Sequence, residues 1–170
     1  MTNLQQNIGR KILVNKSQNE KFEKLKKLKA ARNIGIVYAV NEIDNNLKNK
    51  IIHYFEAEGK KVYTLGFVND KNIDNYLPNF KEHYFCCADI NFWKIPKLNS
   101  VAPFIHGGHD FLINLDIHGM NELQGISVLS SAQTRIGKYF EEFVFAHELM
   151  VKSNSNDSYG LFLDLVKYIK

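Results

Sequence analysis

The sequence predicts an α/β domain in which helices cover both faces of a mostly parallel, Rossmann-like sheet, preceded by a basic N-terminal helix. Three observations carry this expectation. Residues 33–40, NIGIVYAV, form a β-branched run too continuous for a strand with one wet face and suited to a strand covered on both sides. Residues 41–59 then place Ile43, Leu47, Ile51, Ile52 and Phe55 at helical spacing, and KKVYTLGFV (60–68) follows as a second strand, completing a βαβ unit. Strand-like and helix-like stretches go on alternating to the C-terminus, in the overall order β-α-β-β-α-β-α-β-β-α.

Taken from the start, Leu4, Ile8 and Ile12 predict a first helix running to Leu13, and NKSQN (15–19) predicts a break. Residues 20–31, EKFEKLKKLKAA, are nearly all strong helix formers, with Phe22, Leu25 and Leu28 making a narrow apolar stripe edged by lysines. After the first strand, Asn41 or Asp44 is suited to cap the helix and Gly59 to end it. Residues 69–81, NDKNIDNYLPNFK, are polar and turn-forming, so a surface excursion is expected there. HYFCCADI (83–90) predicts a short strand, and a short helix follows near 99–105 with Ser100 as a candidate cap. DFLINLD (110–116) is the most strand-like segment, and 121–133 repeats Leu123, Ile126 and Leu129 at helical spacing. TRIGKYF (134–140) and FAHELMV (145–151) predict a fifth strand and an irregular sixth. Asp157 or Ser158 then caps a final helix, YGLFLDLVKYI (159–169). No internal repeat or long linker occurs, so one α/β domain (33–170) is expected behind an arm (1–32).

Composition narrows the classes. With 45% hydrophobic and 24% charged residues over 170 positions, the chain is an ordinary globular sequence, able to bury a sizeable core. No apolar run approaches the ~20 residues needed to cross a bilayer, and MTNLQQNIGRK lacks the features of a signal peptide, so a cytoplasmic location is expected. Cys86 and Cys87 are adjacent in a strand-like run and would point to opposite faces, which argues against a disulfide between them. The net charge of +4 conceals an asymmetry: residues 9–32 hold nine Lys/Arg against Glu20 and Glu23, whereas residues 33–170 hold 13 against 16 acids. Arg10, Lys11, Lys21, Lys24, Lys27 and Arg32 are therefore candidates for an anionic partner: nucleic acid, a ribonucleoprotein or an acidic membrane surface. The competing reading is an amphipathic helix that packs its stripe on the body and leaves its lysines in water.

HGGHD (106–110) has the look of a metal or catalytic loop. It precedes a strand, however, and in open α/β sheets ligands bind beyond the carboxyl ends of the strands. Its glycines suit a turn, and no third ligand accompanies the two histidines, so no metal is expected. The same strand exits at Asp116 and His118, the first strand at Asn41, and the second at Asp70. These four are the candidate crevice residues, with Asp116 and His118 a candidate acid–base or sugar-hydroxyl pair, and Arg135 or Lys138 a counter-charge. Asp116 and Asn41 are equally suited to capping the helices that follow. YAVNEID after the first strand has no glycine-rich turn for a pyrophosphate, and neither GxxxxGK[ST] nor GxSxG occurs. AHELM (146–150) begins like a zinc-protease helix, but Val151 stands where the second histidine belongs. No cofactor is implied. HYFCC and NFWK put aromatics near lysines without forming an RNA-recognition motif, and Trp93 reads as core or a lid on the sheet.

IGIVYAV with its helix, GKKVYTLGFV, and HDFLINLDIHG followed by LSSAQTRIGKYF together resemble a family of small bacterial α/β proteins of unknown function that begin with a lysine-rich helix. The shared motifs, at Asp110–Leu115 and Ala132–Gly137, are structural and imply no catalytic residues. DFLINLD–helix–AQTRIG also resembles the acceptor-side domain of heptosyltransferase-type glycosyltransferases over about 30 residues, although this chain shows no donor-nucleotide domain. Two functions are thus expected in competition. The first is a non-catalytic module docking through its basic arm and presenting its body to a protein. The second is a glycosyltransferase-like or nucleotide/sugar-binding enzyme working in the crevice.

Overall fold

A computed structural model of the chain describes residues 2–17 and 27–169. Its elements in chain order are helix α1 (Thr2–Ser17), strand β1 (Asn33–Ala39), helix α2 (Asn45–Glu56), strands β2 (Lys61–Val68) and β3 (Glu82–Cys86), helix α3 (Leu98–Ile105), strand β4 (Phe111–Asn114), helix α4 (Asn121–Leu129), strands β5 (Thr134–Lys138) and β6 (Leu149–Val151), and helix α5 (Ser158–Ile169). The strands form one sheet in the order β3-β2-β1-β4-β5-β6, and every neighbouring pair is parallel. The expected alternation is present element for element.

Why the central strands read as continuous apolar runs is now visible. Ile34, Ile36 and Tyr38 of β1 pack with Ile51 and Phe55 of α2 and Leu161, Phe162 and Leu165 of α5. Val37 and Ala39 point the other way, into a second cluster with Phe104 of α3 and Leu123 and Ile126 of α4. A strand covered on both sides has no wet face on which polar residues would alternate. Helix α1 forms an outer layer on the α4 side, where Leu13 is fully buried with Ile95, Val128, Phe143 and Ala146.

Each passage from one parallel strand to the next in sequence needs a connection that crosses a sheet face. Helices α2, α3 and α4 supply three of these, but β2–β3 and β5–β6 are joined without an α-helix. The 69–81 excursion does the first job on the α2 side, where Asn75, Tyr76 and Leu77 line a cleft with Asn45, Lys48 and Asn49 of α2. The 139–148 link does the second on the α1 side, with Phe143 packed near Leu13.

Several boundaries differ from expectation, each for a local reason. The strand expected at 110–116 is paired only over Phe111–Asn114, because Asp110 and Asp116 turn their carboxylates onto backbone N–H groups. Helix α4 stops at Leu129 rather than 133: Ser130 is extended, and its hydroxyl accepts from the Ala132 N–H. The strand expected at 83–90 ends at Cys86, and residues 87–89 form a 3₁₀ turn whose Asp89 accepts from the Cys86 N–H. Ser100 lies inside α3, whose N-cap is Lys97 with no side-chain bond. Asp44, not Asn41, caps α2, accepting from the Leu47 N–H at 2.8 Å. Asp157 caps α5 through the Gly160 N–H. Helix α1 runs through Ser17, into the expected break. Of the helix expected at 20–31, residues 20–26 lie outside the described residues. Leu28–Ala30 form a single 3₁₀ turn between extended Lys27 and Ala31.

Three strand glycines mark where a ring lies against the sheet. A Cβ at Gly35 would meet the His109 ring at 2.8 Å, one at Gly66 the Tyr84 ring at 2.8 Å, and one at Gly137 the His147 ring at 2.7 Å. Glycine inside a strand is costly unless something approaches that closely.

Candidate functional site

The chain leaves β1 through α2 toward β2, and leaves β4 through α4 toward β5. The two connections diverge between neighbouring strands, which makes the β1/β4 boundary the topological switch point where ligands of such sheets bind. Two sequence-predicted residues meet here. His118 Nε2 lies 3.2 Å from Glu42 Oε1, and Asn41 Nδ2 donates to the same oxygen at 3.3 Å. Glu42, which neighbours Asn41, is thus the hub of this trio.

Asp116 plays another part. It is only 2% exposed. Its Oδ1 accepts from the N–H groups of His118 (2.9 Å) and Gly119 (3.1 Å), and its Oδ2 from the Met120 N–H and Gln124 Nε2, both at 2.7 Å. Gly119 at φ 73° gives the turn its left-handed residue. Burial pushes the Asp116 carboxyl pKa up, and the four donors pull it back down. The carboxylate bonds the His118 backbone and not its imidazole, so it holds the turn into α4. Asn114 supports it, accepting from the Asp116 N–H and donating to Leu123 O and Ser127 Oγ.

Asp70 stands apart from this group, beyond the carboxyl end of β2 on the other side of β1. It accepts from the Asn72 N–H and lines an open cleft of about 680 Å³ with Gln5, Lys71, Cys87, Phe92 and Lys94. Of the expected counter-charges, Lys138 is at the crevice, its Nζ 3.5 Å from Ile117 O and 5.8 Å from the centre of the Phe140 ring. Arg135 is not: it is buried in a bidentate pair with Glu148 and donates to Ser127 O.

The polarity of the crevice follows from the caps. Helix α2 begins on the Asp44 carboxylate, and α4 begins on the Asp116 carboxylate. The N–H groups that face a phosphate in nucleotide-binding sheets are here engaged by the chain's own anions. Glu42 adds a third negative group, so a phosphorylated ligand meets repulsion at this point.

The HGGHD loop ties the body together. His109 is buried against Gly35 with its Nε2 2.9 Å from Phe104 O, and Asp110 Oδ2 accepts from the N–H groups of Arg32 (2.6 Å) and Asn33 (2.9 Å). Among the described residues no cluster of three His, Cys, Asp or Glu is placed to hold a metal ion. One pairing escaped sequence reasoning. Ser127 Oγ lies 3.0 Å from His147 Nε2, both residues buried. Burial, with the Arg135 charge nearby, holds His147 down to about 3. No group bonds its Nδ1, and neither residue is open to a substrate, so the pair acts in packing. Gly137, set in a strand against the imidazole, was its sequence signal.

The arm candidates divide. Arg10 lies 5.2 Å from the centre of the Phe143 ring, with Glu142 Oε1 at 3.8 Å, so it serves the docking of α1. Lys11, Lys27 and Arg32 are exposed. Lys21 and Lys24 lie outside the described residues. Trp93 is half-buried, its carbonyl oxygen facing α1 and its ring edge-on to the exposed Phe92. Among the described residues no helix is long and apolar enough to cross a membrane.

No curated protein and no solved structure matches the chain, so the glycosyltransferase-like segment has no counterpart in those comparisons. A model of a family of unknown function does match, spanning helix α1 and the whole sheet. The chain belongs to that family, the family of unknown function DUF6913, which covers residues 5–170.

Proposed function

We propose that the chain is a non-catalytic docking module of the cytoplasm whose basic N-terminal segment binds RNA. The observation that carries this reading is the charge split: nine cations against two acids over residues 9–32, on a body with 13 cations and 16 acids. Within the described residues Lys11, Lys16, Lys27, Lys29 and Arg32 are exposed, as phosphate contacts require. The self-capped helix starts at the switch point support the same reading, since they disfavour a phosphorylated small ligand there. Truncating the arm is a poor test, because it strips Leu13 from its cluster. Charge reversal is a clean one. A Lys11→Glu/Lys16→Glu/Lys27→Glu/Lys29→Glu variant should lose at least tenfold in affinity for a labelled single-stranded RNA, read by fluorescence polarisation, with an unchanged melting temperature. RNA binding that survives the four reversals contradicts the reading, and so does preferential binding to phosphatidylserine vesicles.

A second reading rests on the convergence of His118 and Asn41 on Glu42. It assigns the crevice a small uncharged ligand with hydroxyl groups. It requires that His118→Ala and Glu42→Gln abolish a ligand-induced rise in melting temperature, and a rise that persists in both variants refutes it.

A further inference from the structure

On the α2 side of the sheet, beside the β1–α2 loop that carries Asn41 and Glu42, three aligned positions form an unusual row. Tyr38 of β1, Gly66 of β2 and Tyr84 of β3 stand side by side in register. Because Gly66 has no side chain, the Tyr84 ring leans across β2. Lys48 of α2 reaches down from above. It is 8% exposed, with its Nζ 3.2 Å from Glu82 Oε2 and 3.4 Å from Tyr84 Oη. Burial and the neighbouring Tyr84 push the Tyr38 phenol up, so it stays a neutral donor. Below this network, Ile36, Ile51, Ile52 and Leu115 surround a small recess of about 10 Å³ that shares Tyr38, Ile43 and Lys48 with the cleft above. The recess is also lined by Thr64, 2% exposed, whose hydroxyl has no protein partner. Buried hydroxyls left without a partner are rare.

The cleft has a volume of about 470 Å³, inside the roughly 300–1,000 Å³ range of small-molecule sites. Its floor is the Lys48–Glu82 pair, its walls the Tyr76 and Tyr84 rings, and its rim the amides of Asn45, Asn49 and Asn75. We infer that this cleft binds an uncharged, polyhydroxylated ring of monosaccharide size. The charges on the floor cancel, so a net anion or cation gains little. Three amides with the Lys48, Glu82 and tyrosine groups supply donors and acceptors in mixture, as hydroxyl groups require. Tyr76 and Tyr84 have ring centres 5.2 Å apart, inclined at 41°. They touch each other, so a flat base has no room to stack between them. One aromatic face is what the C–H face of a sugar ring needs.

The inference is independent of RNA binding, since no described residue of the arm lines the cleft. The test uses the full chain and ligand-observed saturation-transfer NMR. The probes are D-glucose, D-galactose and N-acetyl-D-glucosamine at about 10 mM, in excess of the ~1 mM dissociation constant expected of so small a ligand. Uridine serves as comparison. At least one sugar should receive saturation on one ring face. Asn49→Ala, an exposed helix position that leaves the fold intact, should weaken binding roughly tenfold, as should Tyr76→Ala, whereas Tyr76→Phe should retain it. Three results overturn the inference: no sugar receiving saturation, a sugar signal unchanged in Asn49→Ala and Tyr76→Ala, or uridine binding more tightly than every sugar.

Discussion

Replacing Gly9 by alanine opposes two effects whose sizes can be compared. In a bare helix the change is favourable by about 1 kcal/mol, since alanine is the best helix former and glycine among the worst. In this protein α1 lies so close to its neighbours that a Cβ at position 9 would sit 2.5 Å from Asn121 Nδ2 and nearer still to the carbonyl oxygen of Trp93. The second obstacle is backbone and cannot swing aside. Asn121 is itself held, donating to Gln6 O and Trp93 O. Helix α1 must therefore lift from α4, loosening Leu13 in its cluster. Overpacking of this kind costs typically 1–3 kcal/mol, and a rigid obstacle puts it at the upper end. Set against the propensity gain, the net is a loss of about 2 kcal/mol. Urea denaturation of the full chain at neutral pH should show a lower midpoint for Gly9→Ala, and hydrogen exchange should quicken at Ile12–Val14. A variant as stable as the parent, or more so, would refute the close docking of α1.

Two further predictions concern buried polar groups. His147 has an unfolded value of 6.5 and is held to about 3 in the fold. Above pH 6.5 both states are neutral; as pH falls toward 3 only the unfolded chain takes up the proton, so stability is lost on acidification. Over the two pH units from 6.5 to 4.5 this amounts to roughly 2–3 kcal/mol. It is read as the difference in pH dependence between the parent and His147→Gln by urea unfolding; equal dependence in the two proteins counts against the buried neutral imidazole. Asp116→Ala should lower stability by about 3 kcal/mol, because it strands the N–H groups of His118, Gly119 and Met120 and the Gln124 amide. A loss under about 1 kcal/mol would return Asp116 to the pool of ligand-binding residues.

The sequence made the sheet legible because burial on both faces leaves its mark residue by residue. IGIVYAV (34–40) and FLIN (111–114) are hydrophobic at every position but Gly35 and Asn114, and each exception has a use: Gly35 admits the His109 ring, and Asn114 ties β4 to α4. Boundaries were harder to read, because carboxylates and hydroxyls at strand and helix ends compete with the ladder for the same N–H groups. Asp110, Asp116 and Ser130 each shortened an element. The crevice was half legible. Strand ends located Asn41 and His118, but nothing in periodicity shows that Asp70 exits on the far side of β1, or that Arg135 turns inward to Glu148. The tyrosine row could not be seen at all, since it joins residues from three strands whose order depends on the whole topology. Its one local trace was Gly66 inside a strand.

Binding of RNA through the basic segment should respond steeply to salt. For single-stranded RNA, log K should fall linearly with log salt, with a slope near −0.7 for each phosphate neutralised. The parent should show a slope of about −2 or steeper, and the four-lysine reversal should bring it close to zero. A slope that is shallow in the parent, or unchanged by the reversal, would mean that the basic segment does not hold a polyanion.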